Sequence, residues 1–537
     1  MKKLNTAFAL TILITVILSL QSIVSNSQTF EWITSHAINY SYNPDMLKYA
    51  VATEDNGDII YSGMDNFNLN YSGMYGDLFL RKYSAYGVEL FVKQISGNGM
   101  VDHLVAKNGK YYLSGEFKDS LYFPGQSWIY SMAGNSEYFL AVFNQQGMAE
   151  SVLNLSEKFP GLNNLGQFSV DDENMVYLGL GIGNGSKIVK MDDMGFVIQT
   201  VEQTNVWLIN NIDFDPDGNL VVAGAFADTQ CYFGGELFEV DTQDNMYVAK
   251  YNGLGQVQWV RFVEDVIYSS HNQIKCDHTG NIYFSGLLAG PIEFGGFQAS
   301  GSDWVYDFFL TKLDADGEFQ WLVEVPEDNN LGDASIGNLK FLDVDINDNV
   351  YVSGFIRGTI DWGNGIVSTG DNYYDLLLVS FSPDGTIRWS KNGGSENFVK
   401  SIALSTDSQG NCYMAAVGGN EMVFDSITHF QEGFAYPFLV KLNNDIFTGV
   451  RPIHNNLLTI DVYPNPANDH VFVELDKDAL NDFELNLYTV QGQKLSSSHF
   501  RSGNKKIQLE LPPVGGLLLL EIRFADGSTA RKKIFVD

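Results

Sequence analysis

The sequence predicts an all-β chain: a β-propeller of seven four-stranded blades followed by a small C-terminal β-sandwich. Three observations carry that expectation. A turn, a short apolar strand and a closing small residue recur seven times. The first copy reads Asn56-Gly57-Asp58-Ile59-Ile60-Tyr61-Ser62-Gly63, and later copies end at Gly115, Gly179, Gly224, Gly286, Gly354 and Ala416. The closing residues stand 45 to 68 positions apart, which marks one supersecondary unit copied in series. The fullest copy holds four strand-like runs with turn signals between them, the pattern of a propeller blade. The last copy lacks its fourth run, and a matching run stands at the opposite end of the chain.

In the fullest copy the first strand is expected at 211–214, followed by the turn Asp215-Pro216-Asp217-Gly218. The second strand is at 220–224, a short aromatic piece at 232–235, the third strand at 246–251 and the fourth at 256–260. The third strand recurs at 77–83, 137–140, 307–313, 375–378 and 437–442, usually followed by a glycine turn (Gly87, Gly147, Gly195, Gly255, Gly317, Gly385). The fourth strand brings Phe91, Trp259, Trp321 and Trp389, and the aromatic piece brings Tyr71, Phe123, Phe233, Phe294, Trp362 and Phe424. The copy around Gly179 lacks that piece and should form a trimmed blade. The seventh copy stops at Lys441-Leu442-Asn443-Asn444, while Phe30-Glu31-Trp32-Ile33-Thr34 resembles Glu318-Phe319-Gln320-Trp321-Leu322. The N-terminal strand is therefore expected to complete the last blade, removing two exposed sheet edges.

Composition sets the compartment. Lys2 and Lys3, the apolar run from Ala7 to Leu20 and the small residues Ser25-Asn26-Ser27 read as a secretory signal over 1–27. No later run is long enough to span a bilayer as a helix. The formal charge of −33 makes nucleic acid and anionic lipid poor partners and keeps an exported chain soluble. The three cysteines, Cys231, Cys276 and Cys412, form no disulfide framework and no metal-ligand spacing. The propeller is assigned to 28–445, a linker to 446–458 and a separate small domain to 459–537. From Thr459 onward 11 acids face 9 bases, a balance unlike that of the acidic chain before it. The alternation at 471–475, 484–488 and 507–511 is that of a compact sandwich.

No catalytic motif is present. The eight histidines are scattered, and the nearest pair, His271 and His278, flanks Cys276 without a metal-ligand pattern. The glycine run 179–185 is followed by no helix, so it reads as a strand exit rather than a phosphate cradle. An acid stands nine positions before the closing residue in five copies: Glu54, Asp215, Asp277, Asp345 and Asp407. Such acids suit a calcium ring, but the turn-bound repetition favours carboxylates that accept backbone N–H groups of their own turns. The best single calcium candidate is Asp343, Asp345, Asp348 and Asn349; no other cofactor is expected.

The repeats resemble the bacterial secreted β-propeller repeat family over about residues 48–445. They share its turn–Tyr–Ser–Gly phrase, Phe-Leu-x-Lys strand and closing Trp strand; that resemblance implies a fold and no shared activity. The tail resembles the C-terminal sorting domain of type IX secretion substrates of the Bacteroidetes. It does so on Tyr463-Pro464-Asn465-Pro466-Ala467, on 487–493 with Gly492, on 511–516 with Gly515 and Gly516, and on Arg531-Lys532-Lys533-Ile534. Leu517 or Leu518 stands where that family usually carries a Tyr. The resemblance implies Sec export, passage through the type IX machinery and arrival at the cell surface or outside it. The expected role is non-catalytic binding of an extracellular protein or glycan across a propeller face. The alternatives are a polysaccharide-active enzyme using channel carboxylates and a structural component of the cell surface.

Overall fold

The computed structural model describes residues 28–36, 47–68, 75–132, 134–266, 271–301, 307–326, 332–371, 373–444, 460–475, 483–489, 494–500, 506–512, 516–524 and 529–536. The expected signal, the linker, Tyr71, Gly492 and Gly515 lie outside them. The chain divides into two compact units, one spanning 26–446 and one holding 447–537.

Within the first unit, seven antiparallel four-stranded sets follow one another among the described residues. Blade four shows the plan: Leu208–Phe214, Leu220–Phe226, Asn245–Tyr251 and Val257–Val263, from inner to outer strand. Blades one and two share the long strand Glu89–Lys107, outer for the first and inner for the second. Inner strands touch their neighbours all the way round, and Tyr49–Thr53 of blade one meets Val399–Thr406 of blade seven. The continuous apolar runs of the middle strands are explained by burial: Leu220–Phe226 and Asn245–Tyr251 are buried throughout, being packed by blades on both faces.

The repeated phrase has two physical causes. In blade four the inner strand bulges opposite the closing residue, and a Cβ on Gly224 would lie 2.0 Å from the Leu208 carbonyl oxygen, so only glycine fits at that position. At its turn, Asp215 Oδ1 accepts the backbone N–H of Asp217 and Asn219 at 3.0 and 2.8 Å. Asp277, Asp345 and Asp407 do the same for their own turns. In those three blades a tyrosine six residues on donates its hydroxyl to the second carboxylate oxygen. Asp171 plays this part in trimmed blade three. Glu54 does not: its longer side chain carries the carboxylate past the turn to Lys82, and Asn56 caps the turn instead.

A second device locks blade to blade. Trp259 Nε1–H and the Lys250 ammonium, both on blade four, donate to Ala315 O in the next blade at 3.2 and 3.1 Å. Trp321 and Lys312 donate to Pro383 O in the same way. Trp32 and Lys441 donate to Ala85 O, across the seam between blade seven and blade one. Each indole covers the glycine of the receiving turn, where a Cβ would stand 2.8 to 2.9 Å from the ring (Gly317, Gly385, Gly87), and all three glycines have positive φ.

Ring closure follows the sequence expectation: Thr29–Ser35 pairs antiparallel with Ile427–Asn443 as the outer strand of blade seven. Phe30 packs edge-on against Phe424 at 4.9 Å, Glu31 pairs with Lys441 at 2.8 Å, and His36 crosses the seam to meet Phe79 of blade one edge-on at 4.8 Å. Because blade seven draws its outer strand from the other terminus, it has no continuous turn between third and fourth strands. Among the described residues the buried Nε1–H of Trp389, on blade six, consequently has no acceptor.

Hairpin extensions of the second strands protect the outer edges. The end of Lys110–Tyr122 pairs with residues 96–97 of blade one's outer strand, Gln230–Phe233 with blade three's, and the end of Cys412–Phe424 with blade six's. Each hairpin tucks its aromatic residue (Phe123, Phe233, Phe424) into the core. This shields the hydrogen-bonding rows that an edge strand would offer to another chain.

The second unit holds a three-stranded sheet (Ile460–Tyr463, His470–Leu475, Lys506–Glu510) and a four-stranded one (Lys494–Phe500, Phe483–Thr489, Gly516–Phe524, Thr529–Val536). One apolar cluster joins them, including Val471, Leu485, Leu520 and Ile534.

The latch predicts unequal costs at two tryptophans. Trp321→Phe should lose about 1 kcal/mol more than Trp389→Phe, since only Trp321 gives up a hydrogen bond. Urea midpoints of the two variants measure this; equal losses would refute the latch.

Candidate binding site at the channel mouth

In each blade the inner strand begins at the end of the ring where one blade passes to the next, and the carboxylate-capped turns lie at the opposite end. At the starting end is a cavity of about 180 Å³. It draws Lys48 from blade one, Asp102, His103, Glu116 and Tyr138 from blade two, Gly166 and Gln167 from blade three, Asn210 from blade four and Leu339 from blade six. Ring closure is what brings them together.

Lys48 forms an ion pair with Asp102. Their side chains are 29% and 17% exposed, so the pair is recessed yet reachable. Glu116 Oε2 accepts the Tyr75 hydroxyl at 3.1 Å and Ser136 Oγ–H at 2.8 Å. Tyr138 donates to Asn163 O at 3.2 Å. The buried Nδ2 of Asn210, a residue that lines the cavity, has no acceptor among the described residues. Burial would push the Lys48 ammonium down, but Asp102 and Glu116 outweigh it and hold the pKa above its ordinary value. One ammonium serves two carboxylates, so burial, reinforced by Glu116, raises the Asp102 carboxyl despite Lys48.

Further along the inner strands the channel is filled. Lys275 pairs with Asp213 at 3.0 Å and Lys340 with Asp343 at 2.9 Å, while Gln273 Oε1 accepts the Phe341 N–H at 3.0 Å. His103 stands above this floor, edge-on to Phe168 at 5.0 Å. Burial, with Lys340 and Lys275 nearby, lowers its pKa to about 3.

The calcium candidate is corrected by these contacts. Asp345 serves its own turn, Asp343 faces Lys340 and the Thr406 N–H, Asp348 faces His278, and Asn349 turns its amide N–H toward Asp345. Among the described residues no group of three or more His, Cys, Asp or Glu side chains is placed to hold a metal ion. The three cysteines are free, and burial raises the Cys231 thiol to about 12. Sequence reasoning did not single out Lys48, Asp102, Glu116 or Asn210; their one signal is that they are polar residues outside the repeated phrase.

In the tail, the motif residue Asn465 ties the first turn to the last strand. Its Nδ2–H donates to Lys533 O at 2.9 Å and its Oδ1 accepts the Phe535 N–H at 2.7 Å. The neighbouring peptide bonds Tyr463-Pro464 and Asn465-Pro466 are cis. The Tyr463 hydroxyl donates to Glu474 at 2.5 Å, and Lys506 lies over the Tyr463 ring. Gly516, with φ +111°, opens its strand, and Leu518 is buried in the core.

Residues 461–537 match the secretion system C-terminal sorting domain family. The tail is thus a type IX sorting domain, which directs the chain to the outer membrane or cell surface and engages the secretion machinery. No curated protein matches the chain in sequence. Among solved structures, a Dos1 propeller is 6% identical, with 78% of this chain and 96% of that one covered and a TM-score of 0.39. The extracellular domains 1–2 of Drosophila semaphorin 1b are 8% identical, covering 79% and 88% with a TM-score of 0.37. The calcium-binding protein regucalcin of Agrobacterium tumefaciens is 17% identical, covering 58% and 83% with a TM-score of 0.29. Likenesses this distant carry no argument about this chain's activity. No helix among the described residues is long and apolar enough to cross a membrane.

The buried histidines predict acid sensitivity. His103 and His36 both sit at about 3 in the folded chain against an ordinary 6.5. The unfolded chain therefore takes up protons that the folded one refuses. Stability should be full above pH 6.5 and fall as pH drops toward 3, by no more than about 1.4 kcal/mol per pH unit for each histidine. Urea midpoints between pH 6.5 and 5 measure the slope, and His103→Gln should flatten it. A slope unchanged in that variant would refute the assignment.

Proposed function

We propose that the exported chain is a non-catalytic binding protein that takes a small polar group, such as the terminal sugar of a glycan, at the channel mouth. The observation that carries the reading is the cavity itself. Polar residues from four blades converge there, the Lys48–Asp102–Glu116 set among them, and Leu339 of a fifth adds an apolar wall. A sugar hydroxyl both donates and accepts, so it meets carboxylate, ammonium and amide alike. The cavity is smaller than the usual range of roughly 300–1,000 Å³ for drug-sized ligands, which favours one ring or chain end over an extended substrate.

A second reading, a polysaccharide-active enzyme, has one observation in its favour. Asp102, raised by burial, lines the same cavity as Glu116, and a pair of carboxyl groups facing one cavity is what glycoside hydrolysis uses. Against it, Lys48 already occupies Asp102.

A glycan array and a hydrolase screen on the full exported chain separate the two. Binding without turnover is expected, and Glu116→Gln or Lys48→Met should weaken it about 10-fold or more through loss of a charged hydrogen-bonding partner. Turnover abolished by Asp102→Asn would replace binding with catalysis. Deleting 459–537 should leave the chain in the periplasm, read by protease accessibility on intact cells.

A further inference from the structure

The blade-two hairpin carries a surface that the repeat does not require. Tyr122 and Trp128 are cross-strand partners, with ring centroids 5.4 Å apart. Tyr130 lies two residues beyond Trp128 and so shares its face. The three are 37%, 44% and 68% exposed, while Leu121 and Phe123, on the other face, are fully buried. At the pair of positions held by Tyr122 and Trp128, the other hairpins have Tyr232 and Leu237, Glu293 and Gln298, Asp361 and Val367, and Val423 and Thr428. An aromatic triplet occurs in blade two alone among these. The fold does not require it, because the other hairpins are built with unlike outward pairs, from Glu293 and Gln298 to Val423 and Thr428.

We propose that this platform binds a neutral polysaccharide chain by stacking sugar rings on Tyr122, Trp128 and Tyr130. The C–H face of a pyranose carries partial positive charge and meets the negative face of an aromatic ring. Residues 120–132 contain no Asp, Glu, Lys or Arg in a chain that is 18% charged, so the surface offers nothing to an ionic ligand. The net charge of −33 repels acidic polymers further. Three rings cover a few sugar units, whereas a stable protein partner needs roughly 1,000 Å² or more of buried surface. Export to the cell surface brings the platform to where such polymers are met. The proposal is independent of the channel mouth, whose residues are not used.

Affinity electrophoresis of the full exported chain tests it, in gels containing amylopectin, mixed-linkage β-glucan, neutral arabinoxylan or mannan, with polygalacturonate as the acidic control. At least one neutral polymer should retard the chain and polygalacturonate should not. Trp128→Ala should cut the retardation about 10-fold, Trp128→Phe should keep part of it, and Val367→Ala on the matching face of blade six should leave it unchanged. All these side chains are exposed or half-exposed, and unchanged urea midpoints confirm the fold of each variant. No retardation by any neutral polymer, equal retardation of the wild type and Trp128→Ala, or stronger retardation by polygalacturonate overturns the proposal. So does concentration-dependent self-association that Trp128→Ala abolishes, which would make a second copy the occupant.

Discussion

The antiparallel ladder between Thr29–Ser35 and Ile427–Asn443 is the contact on which the other features of the propeller depend. Without it blade seven has three strands, the seam to blade one loses its Trp32–Ala85 latch, and His36 leaves the aromatic cluster around Phe79. The channel mouth would open as well, since its walls come from blades one, two, three, four and six. A contact between residues 29 and 443 closes a loop of nearly the whole propeller. Its entropic cost rises only logarithmically with that length, while the ladder returns a full set of strand hydrogen bonds and a buried Phe30.

The same closure explains the one imperfect latch. Trp259 and Trp321 each reach a carbonyl in the turn of the following blade, because that turn joins third and fourth strands of one continuous chain. In blade seven those strands come from opposite termini, and among the described residues no carbonyl meets Trp389. The orphaned indole N–H is the local cost of sealing the ring with the N-terminus. It is offset by burial of the same side chain against Tyr351.

Sequence made the periodic part of the fold legible and left the site illegible, for one physical reason. Strand order, the glycine phrase, the capped turns and the N-terminal closure are local or repeated, so seven copies report the same constraint. Asp215 could be assigned its role because the N–H groups it accepts lie two and four residues away in sequence. Lys48, Asp102 and Asn210 acquire meaning only when the ring sets blades one, two and four around a common axis. Glu54 shows the limit even within the repeat, where one extra methylene moved its carboxylate from the turn to Lys82. The calcium candidate failed similarly: the spacing of Asp343, Asp345 and Asp348 was right for a cation, but each carboxylate is aimed at a different protein group.

The hairpins connect this architecture to the way blades diverge. Covering the preceding blade's outer strand requires backbone pairing and one aromatic residue driven into the core, as with Phe123, Phe233 and Phe424. Nothing in that task constrains the outward face, since side chains on the two faces of a strand alternate independently. The outward positions are thus free to vary, and they do, from Glu293 and Gln298 to Tyr122 and Trp128. A fold that protects its edges with short hairpins acquires, as a by-product, a ring of variable faces on its rim. Exposed aromatic residues there are informative in a way that Trp259 or Trp321 are not, because the latch already accounts for those two.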